Sequence, residues 1–450
     1  MKFCILVSAF CLLTSPVAQG QWLETIIPLG AYPYQLCLNP VDNKVYVSGA
    51  DVRSVLVLDA ATNGMIGEVP LDSWDHVWAM CYCPQRNAVY AGCHETGPGM
   101  VVMWDGKDDT ITAMIDVPEY PVVLCYDSVL HKLYAGCRAE AAVAVIDVRS
   151  NTVVKTIPVG ENPKLMCLAE NEHKLYVGNA GDSTLSVVDC QTDSVVATLL
   201  LADRPDHLCY NPVAGKMYCD AGDWSFTLHV IDCRTDSIVA RLVLEHDVID
   251  MEFDPSGNRL YDIGADILVL DGSGDSIVAV LPQRARVGCL NPASRKMFCI
   301  GRDSVTVVDC ETNTVIRRLD SPGEPEDALW SPICNRVYST HAQARKVAVY
   351  RDSMPGIEEQ EAARVADECR QNTIVRGVLY LRPSPFPLPV GEGQEVRGRS
   401  LLLDAAGRQV LSLSPGPNDV RHLAPGVYFV RRPSAGGGEP SAVTKVVVTR

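Results

Sequence analysis

Beyond its N-terminal segment the chain has no run approaching 18 consecutive apolar residues, which excludes a membrane-spanning helix there. Positive charge is also scarce: 39 Lys and Arg stand against 55 Asp and Glu, a net charge of −16. Such a surface repels phosphate backbones and anionic lipid at long range, so neither nucleic acid nor an anionic membrane is an expected partner. Motifs that carry chemistry are missing too. The nine histidines form no HExxH and no paired metal spacing, and there is no GxSxG elbow and no phosphate-binding loop. No segment has the dense oxygen-ligand spacing of an EF-hand. The sequence therefore predicts no cofactor and no metal, and it offers no motif-level sign of an enzyme.

What is present is a long, core-forming chain. Its 450 residues, 47% of them apolar, suffice for two or three domains with a substantial core. Lys2 precedes an apolar run from Phe3 to Leu13, with Ala18 and Gly20 ahead of Gln21. This is the layout of a signal peptide over residues 1–20, with an apolar run too short to span a bilayer. The expected product is soluble and exported.

Residues 24 to 350 repeat. A short strand ends in an aromatic at Tyr46, Tyr90, Tyr134, Tyr176, Tyr218, Tyr261, Phe298 and Tyr338, spaced 37 to 44 residues apart. Thirteen residues before it stands Pro33, Pro121, Pro163, Pro205 or Pro325, and nine before it Cys37, Cys81, Cys125, Cys167, Cys209 or Cys289. Downstream, an alternating segment ends in Asp59, Asp105, Asp147, Asp189, Asp232, Asp271 or Asp309. Four residues further lies Asn63, Asp109, Asn151, Asp193, Asp236, Asp275 or Asn313, types that tolerate left-handed backbone and mark a hairpin turn. One more strand completes four per unit. Four-stranded units of this length predict an all-β fold, a β-propeller of eight blades by repeat count.

The two ends of the repeat fit one another. The eighth unit stops at its third strand, around Val347 to Tyr350, while the chain opens with an orphan fourth strand, Thr25-Ile-Ile-Pro-Leu-Gly30, which reads like Thr156-Ile-Pro-Val-Gly160. Pairing them in one blade would close the ring and remove two sheet edges.

Segments such as Lys174-Leu-Tyr-Val-Gly178, Leu185-Ser-Val-Val-Asp189 and Thr192-Asp-Ser-Val-Val-Ala-Thr198 resemble the YVTN family of β-propeller repeats, over nearly all of residues 24 to 350. The resemblance implies an exported or surface-displayed propeller and leaves the ligand open. The family often builds seven blades, so seven is the alternative count if the short sixth unit, Val248 to Leu281, is irregular.

Past Tyr350 the pattern changes. Ile357 to Cys369 is charged and alanine-rich, which suggests a linker over 353–372 after a propeller at 21–352. From Thr373 short apolar strands alternate with turns at Ala406-Gly407, Pro415-Gly416 and Pro425-Gly426, predicting a small antiparallel β-sandwich over 373–450. This segment resembles the C-terminal sorting domain recognised by the bacterial type IX secretion system. The matching residues are Asp404, Gly407 and Arg408, then Gly426, Val427 and Tyr428, and the terminal Lys445 with its valines. Ser384-Pro385-Phe386 departs from the family's Asn-Pro-Phe. The resemblance implies recognition by the secretion machinery and a final location that is secreted or on the outer cell surface.

Three constellations invite a chemical reading. The repeated cysteines suggest a thiol ring, but ligands of one tetrahedral ion must converge at about 2.3 Å from it. Equivalent positions on successive blades are spread around a barrel, so small buried packing residues are favoured, as also for Cys190, Cys233 and Cys310. Cross-strand disulfides at Cys209 with Cys219 and Cys289 with Cys299 remain an alternative. The repeated aspartates, even the calcium-like Asp271-Gly-Ser-Gly-Asp275, are read as turn formers. In the loops leading into each unit's first strand stand Tyr32, His76, Tyr120, Asn162, Arg204, Asp247, Arg284 and Glu324, with Trp74 and Trp78 nearby. They vary where the frame is constant, and they are the candidate binding residues for a protein or glycan ligand. The leading functional expectation is a noncatalytic binding scaffold. The rival, by analogy of architecture alone, is a hydrolase or lactonase-like enzyme with a site at the channel mouth.

Overall fold

A computed structural model describes residues 20–352, apart from 50–52, 72–75, 95–97, 223–225 and 246, together with the backbone of seven strands between 373 and 449. The leader residues before Gly20 and the linker expected at 353–372 lie outside the described residues.

Eight four-stranded antiparallel sheets form the propeller. Seven are consecutive meanders. The short sixth unit is a complete blade, with strands Val248–Asp254, Arg259–Gly264, Ile267–Asp271 and Ile277–Leu281, so the seven-blade alternative falls. The eighth blade is shared: Asp327–Ser331, Arg336–His341 and Lys346–Asp352 supply three strands, and Gln21–Pro28 supplies the fourth. Ile27 lies opposite Val347 and Leu23 opposite Tyr350, which closes the ring as the repeat phase predicts. The innermost strand of each blade packs on that of the next, and the first blade's on the eighth's.

Burial follows strand position. Second and third strands are almost wholly buried, because both faces pack on neighbouring blades. Lys174–Asn179 and Thr184–Asp189 in blade 4 are typical. Inner strands such as Pro163–Ala169 stay half-buried around the central channel, and outer strands such as Ser237–Val243 alternate strictly between exposed and half-buried residues. That gradient explains the sequence. Continuous apolar runs mark sheet faces covered twice, and alternation marks the rim.

All seven turn residues from Asn63 to Asn313 have positive φ, between 52° and 62°. The aspartate four residues earlier accepts the backbone N–H groups of the turn, as Asp189 does from Gln191 and Thr192 at 2.9 and 2.8 Å. These hydrogen bonds hold the carboxylates of Asp189 and Asp271 below the usual range, so they are built for the turn.

The repeated aromatic ties blade to blade. All eight are fully buried. Each of the seven tyrosines donates its hydroxyl to the positive-φ residue of the next blade's turn: Tyr46 to Asp109, Tyr90 to Asn151, Tyr134 to Asp193, Tyr176 to Asp236, Tyr218 to Asp275, Tyr261 to Asn313 and Tyr338 to Asn63, at 2.7 to 3.3 Å. Where that turn residue is Asp, the residue two before the tyrosine is Lys44, Lys132, Lys174 or Lys216, and its ammonium lies 2.7 Å from the carboxylate. Where the turn residue is Asn, the same position holds Ala88, Arg259 or Arg336 and never lysine. Charge is thus matched at each of these ties, so that every turn aspartate which accepts a tyrosine hydroxyl also has a lysine beside it.

Phe298 is the exception that this network explains. Its neighbour, blade 8, has no such turn, because its outer strand comes from the other end of the chain. A hydroxyl there would have no acceptor of that kind. Asp352, 3% exposed, replaces the missing turn: it takes Lys296 Nζ and Gln21 Nε2 at 2.7 Å each and Asn291 Nδ2 at 2.9 Å. Arg336 locks the other side of the seam, with both arms on Glu24 at 2.6 Å and a further bond to each of the carbonyls of Ala60 and Ala61 in blade 1.

Every described cysteine is free. The disulfide alternative fails on register: Cys209 faces Tyr218 and Cys219 faces Leu208, and the same stagger separates Cys289 from Cys299. A one-residue offset places the two thiols on opposite faces of the sheet. Burial pushes the Cys81 and Cys167 thiols up to about 12, as expected of packing residues rather than of reactive or ligating thiolates.

In the C-terminal segment, five strands pair in the order Thr373–Arg376, Val443–Thr449, Gly426–Arg431, Ser400–Leu403 and Gln409–Leu413, and two more, Val378–Leu381 and Gly416–Asp419, pair with each other. Thr373–Arg376 runs parallel to Val443–Thr449, where the sequence suggested antiparallel pairing throughout.

The tie makes an asymmetric expectation. Tyr176→Phe should lower stability in urea denaturation by about 1.5–3 kcal/mol, the worth of a hydrogen bond to a charged group. Phe298→Tyr should bring no gain. A stabilising Phe298→Tyr would show that the hydroxyl acts through something other than the turn.

Candidate functional site

Loops leading into the inner strands and loops joining second to third strands share one face of the ring. They are sewn together by their backbones. The Tyr120, Asn162 and Arg204 carbonyls accept the N–H groups of Arg138, Ala180 and Gly222 at 2.8, 3.0 and 3.1 Å. Tyr120 and Asn162 do this from positive φ. Part of the chemical variety at these positions is therefore turn geometry rather than ligand contact.

The structure gathers some of the predicted binding residues and disperses the rest. His76 and Trp78 sit side by side, rings 5.7 Å apart, and Trp78 is 45% exposed, which leaves an aromatic anchor on the surface. Tyr32 stacks beneath the Arg345 guanidinium at 4.1 Å. Arg204 is drawn to Asp206, which also pairs with Lys164. Arg284 and Glu324 line one cleft on blade 7. Asp247 is exposed beside blade 6, and Trp74 lies outside the described residues. Of the expected sorting residues, Gly426, Val427, Tyr428 and Lys445 lie in two paired strands, with Phe429 opposite Lys445. Asp404, Gly407 and Arg408 lie outside the described residues.

The sequence reading missed a set of carboxylates inside the ring. Glu252 occupies the inner-strand position that is cysteine in six other blades, and Asp250 and Asp327 stand two residues earlier in their repeats. Asp250 Oδ2 accepts the N–H of Gly288 at 2.8 Å and Asp327 Oδ2 that of Leu36 at 2.7 Å, each from the following blade. Gln35 Oε1 does the same for Met80 at 3.0 Å. These side chains are seams between inner strands. Desolvation, with Asp250 and Asp327 nearby, raises Glu252 to about 8, although part of its surface is reached from the channel. Desolvation raises Asp327 to about 7 despite its two backbone donors.

Between blades 5 and 6 two further carboxylates are fully enclosed. Asp220 is 1% and Asp262 0% exposed, and no oxygen of either has a hydrogen-bond partner. His207 Nδ1 stands 3.6 Å from Asp220, an ion-pair distance beyond a hydrogen bond. Burial, then Asp220 and Asp247, raises Asp262 to about 8. In the other blades the Asp262 position is small or apolar, Val47, Ala91, Ala135, Val177, Cys219 and Cys299, except for Ser339. Departure from the repeat consensus was the signal available in the sequence. Among the described residues no group of three or more His, Cys, Asp or Glu side chains is arranged to hold a metal ion.

A carboxyl raised by folding binds its proton more tightly in the folded than in the unfolded chain. Its contribution to stability is therefore lost as pH climbs from about 4, its unfolded value, through about 8. Asp262→Asn should melt near the parent at pH 5 and above it at pH 8.5, read by thermal denaturation. An equal shift at both pH values would contradict the assignment. The turn aspartates act in a separate window, below their ordinary pKa, and leave this comparison intact.

No family model and no curated protein matches the chain. Among solved structures the fold is similar to Kuenenia stuttgartiensis hydrazine synthase, with a TM-score of 0.52 and 15% identity over 73% of this chain and 98% of that one. At that identity the likeness is one of fold: the chain is an eight-bladed β-propeller.

Proposed function

We propose that the chain is an exported, noncatalytic propeller that holds a partner on the face carrying its leading loops, and that its C-terminal segment is a β-sandwich sorting domain of the type IX kind. The observation that carries this reading is the contrast between frame and face. The repeated tyrosines, aspartates and cysteines are committed to blade ties, turns and packing, whereas the exposed His76–Trp78 pair and the arginines of blade 7 are outside every repeated network. The leader-like N-terminus, the likeness of the repeats to the YVTN family and the sorting-like residues from Asp404 to Lys445 support export.

One observation favours the hydrolytic alternative, the raised carboxyl of Glu252 beside the channel. Against it, Asp250 and Asp327 each bind a backbone N–H of the next blade, so two of the three acids are structural.

The exported protein should have an intact mass reduced by both terminal segments, and on protein and glycan arrays it should capture a partner that Trp78→Ala loses by about tenfold or more, the scale of a buried aromatic anchor. A folded protein that binds nothing on either array would remove the binding reading. Turnover on a panel of esters and lactones, abolished by Glu252→Gln, would install the alternative.

A further inference from the structure

The face with the leading loops contains a cleft of about 560 Å³ on blade 7. One wall is the loop of residues 282–286 that leads out of blade 6, another the loop of residues 301–303 between the second and third strands of blade 7, and Arg318 contributes from the outer strand Thr314–Asp320. Main-chain bonds set this geometry: Arg286 N donates to Ile300 O, and Gly301 N to Ser304 O, at 2.9 Å each. Gly301 is required where it stands, since a Cβ there would lie 2.8 Å from the Arg284 carbonyl oxygen.

The chemistry of the cleft opposes that of the chain. Among the residues lining the cleft, Arg284, Arg286, Arg302 and Arg318 outnumber Asp303 and Glu324 by two in a protein of net charge −16, and Glu326 stands near Arg286 just outside the lining. Glu324 is bound at 2.7 Å by Nη1 of Arg286, which orients that guanidinium. Arg284, Arg302 and Arg318 have no ion pair among the described residues. Two polar atoms of residues that line the cleft are covered and without partners, Arg286 Nε, a donor, and Gln283 Oε1, an acceptor, and a bound molecule meets them as these side chains turn toward it. Buried polar atoms in folded proteins nearly always have partners, so an unsatisfied donor and acceptor lining one cleft specify what is missing from it. The donor calls for an anion, and planar guanidinium forks suit carboxylate or phosphate. The acceptor calls for a hydroxyl or N–H close to that anion. No aromatic ring lines the cleft, so stacking plays no part.

Resting on the reading of this face as a binding surface, we propose that the cleft takes a small hydroxylated anion with the chemistry of an acidic monosaccharide, its charged group on the arginines and a neighbouring hydroxyl donating to Gln283 Oε1. The full chain is titrated by calorimetry with galacturonate, glucose 6-phosphate, inorganic phosphate and galactose. At least one of the two charged sugars should bind, galactose at the same concentration should give no heat of binding, and inorganic phosphate should bind at least about fivefold more weakly than the charged sugar, for want of one hydrogen bond. Arg302→Ala, at an exposed position that leaves the melting temperature unchanged, should weaken the charged sugar by about tenfold. Gln283→Leu should bring charged sugar and phosphate to the same affinity. Failure of both charged sugars to bind, galactose binding as well as either, phosphate matching the charged sugar in the parent, or either variant leaving the affinities unchanged would overturn the proposal. A partner that still depends on Trp78 while the cleft binds nothing would confine the failure to the cleft and leave the scaffold reading standing.

Discussion

A toroid of separate sheets has one structural problem, which is holding each sheet to the next, and this chain answers it with a hydroxyl. The sequence pattern puts the aromatic at the end of its strand; it is instead the third residue of each second strand, and in seven blades it is a tyrosine, buried in its own interface, that reaches the left-handed turn residue of the neighbouring blade. It fills space as a ring and satisfies a turn as a donor. Because the turn residue sits beyond the third strand, the bond also fixes how far each blade is rotated on the next. The matching of lysine to aspartate turns, and of other residues to asparagine turns, follows from the same contact, since a half-buried carboxylate is tolerated only with a cation beside it.

The ring then depends on its seam. Between blades 7 and 8 the regular tie is impossible, and the seam is held by contacts of another kind: Asp352 gathers Lys296, Asn291 and Gln21, and Arg336 grips Glu24 and the turn after blade 1's third strand. Both bring together residues more than 300 positions apart in the chain. Local units can form from short-range contacts, whereas the seam requires the two ends of the repeat to meet, so closure is the long-range step on which cooperative stability rests. Closure also removes the free strand edges that Gln21–Pro28 and Lys346–Asp352 would otherwise expose.

Much of this was legible in the sequence, because repetition turns tertiary position into sequence position. The turn residues, the proline-led inner strands, the packing role of the cysteines and the split eighth blade were all readable from register. What escaped was whatever a single unit does not contain. Lys174 and Asp236 are 62 residues apart, and their pairing shows only when one unit is laid against the next. Phe298 reads as a harmless variant of tyrosine until its neighbour's missing turn is known. Asp262 and Glu252 read as scatter, although each replaces a small or apolar residue of the frame. The cleft of blade 7 draws on two loops and an outer strand, so Arg284 and Glu324 were found by loop position, while Arg286, Arg302 and Arg318 were not. His76 with Trp78 was found for the same reason, and Tyr120 and Asn162 prove to be held by backbone geometry.

Asymmetry is where such a frame acquires specificity. The acids of blades 5, 6 and 8 and the arginines of blade 7 break an otherwise uniform ring, the acids at positions where the other blades carry mostly small or apolar residues. Closure through Gln21–Pro28 holds the ring together, and amide hydrogen exchange reads it strand by strand. The amides of Ile26 and Ile27 should exchange with the slow, cooperative opening shared by Val347 and Val349. Exchange of that strand at the rate of an unstructured terminus, with the remaining blades still protected, would contradict it.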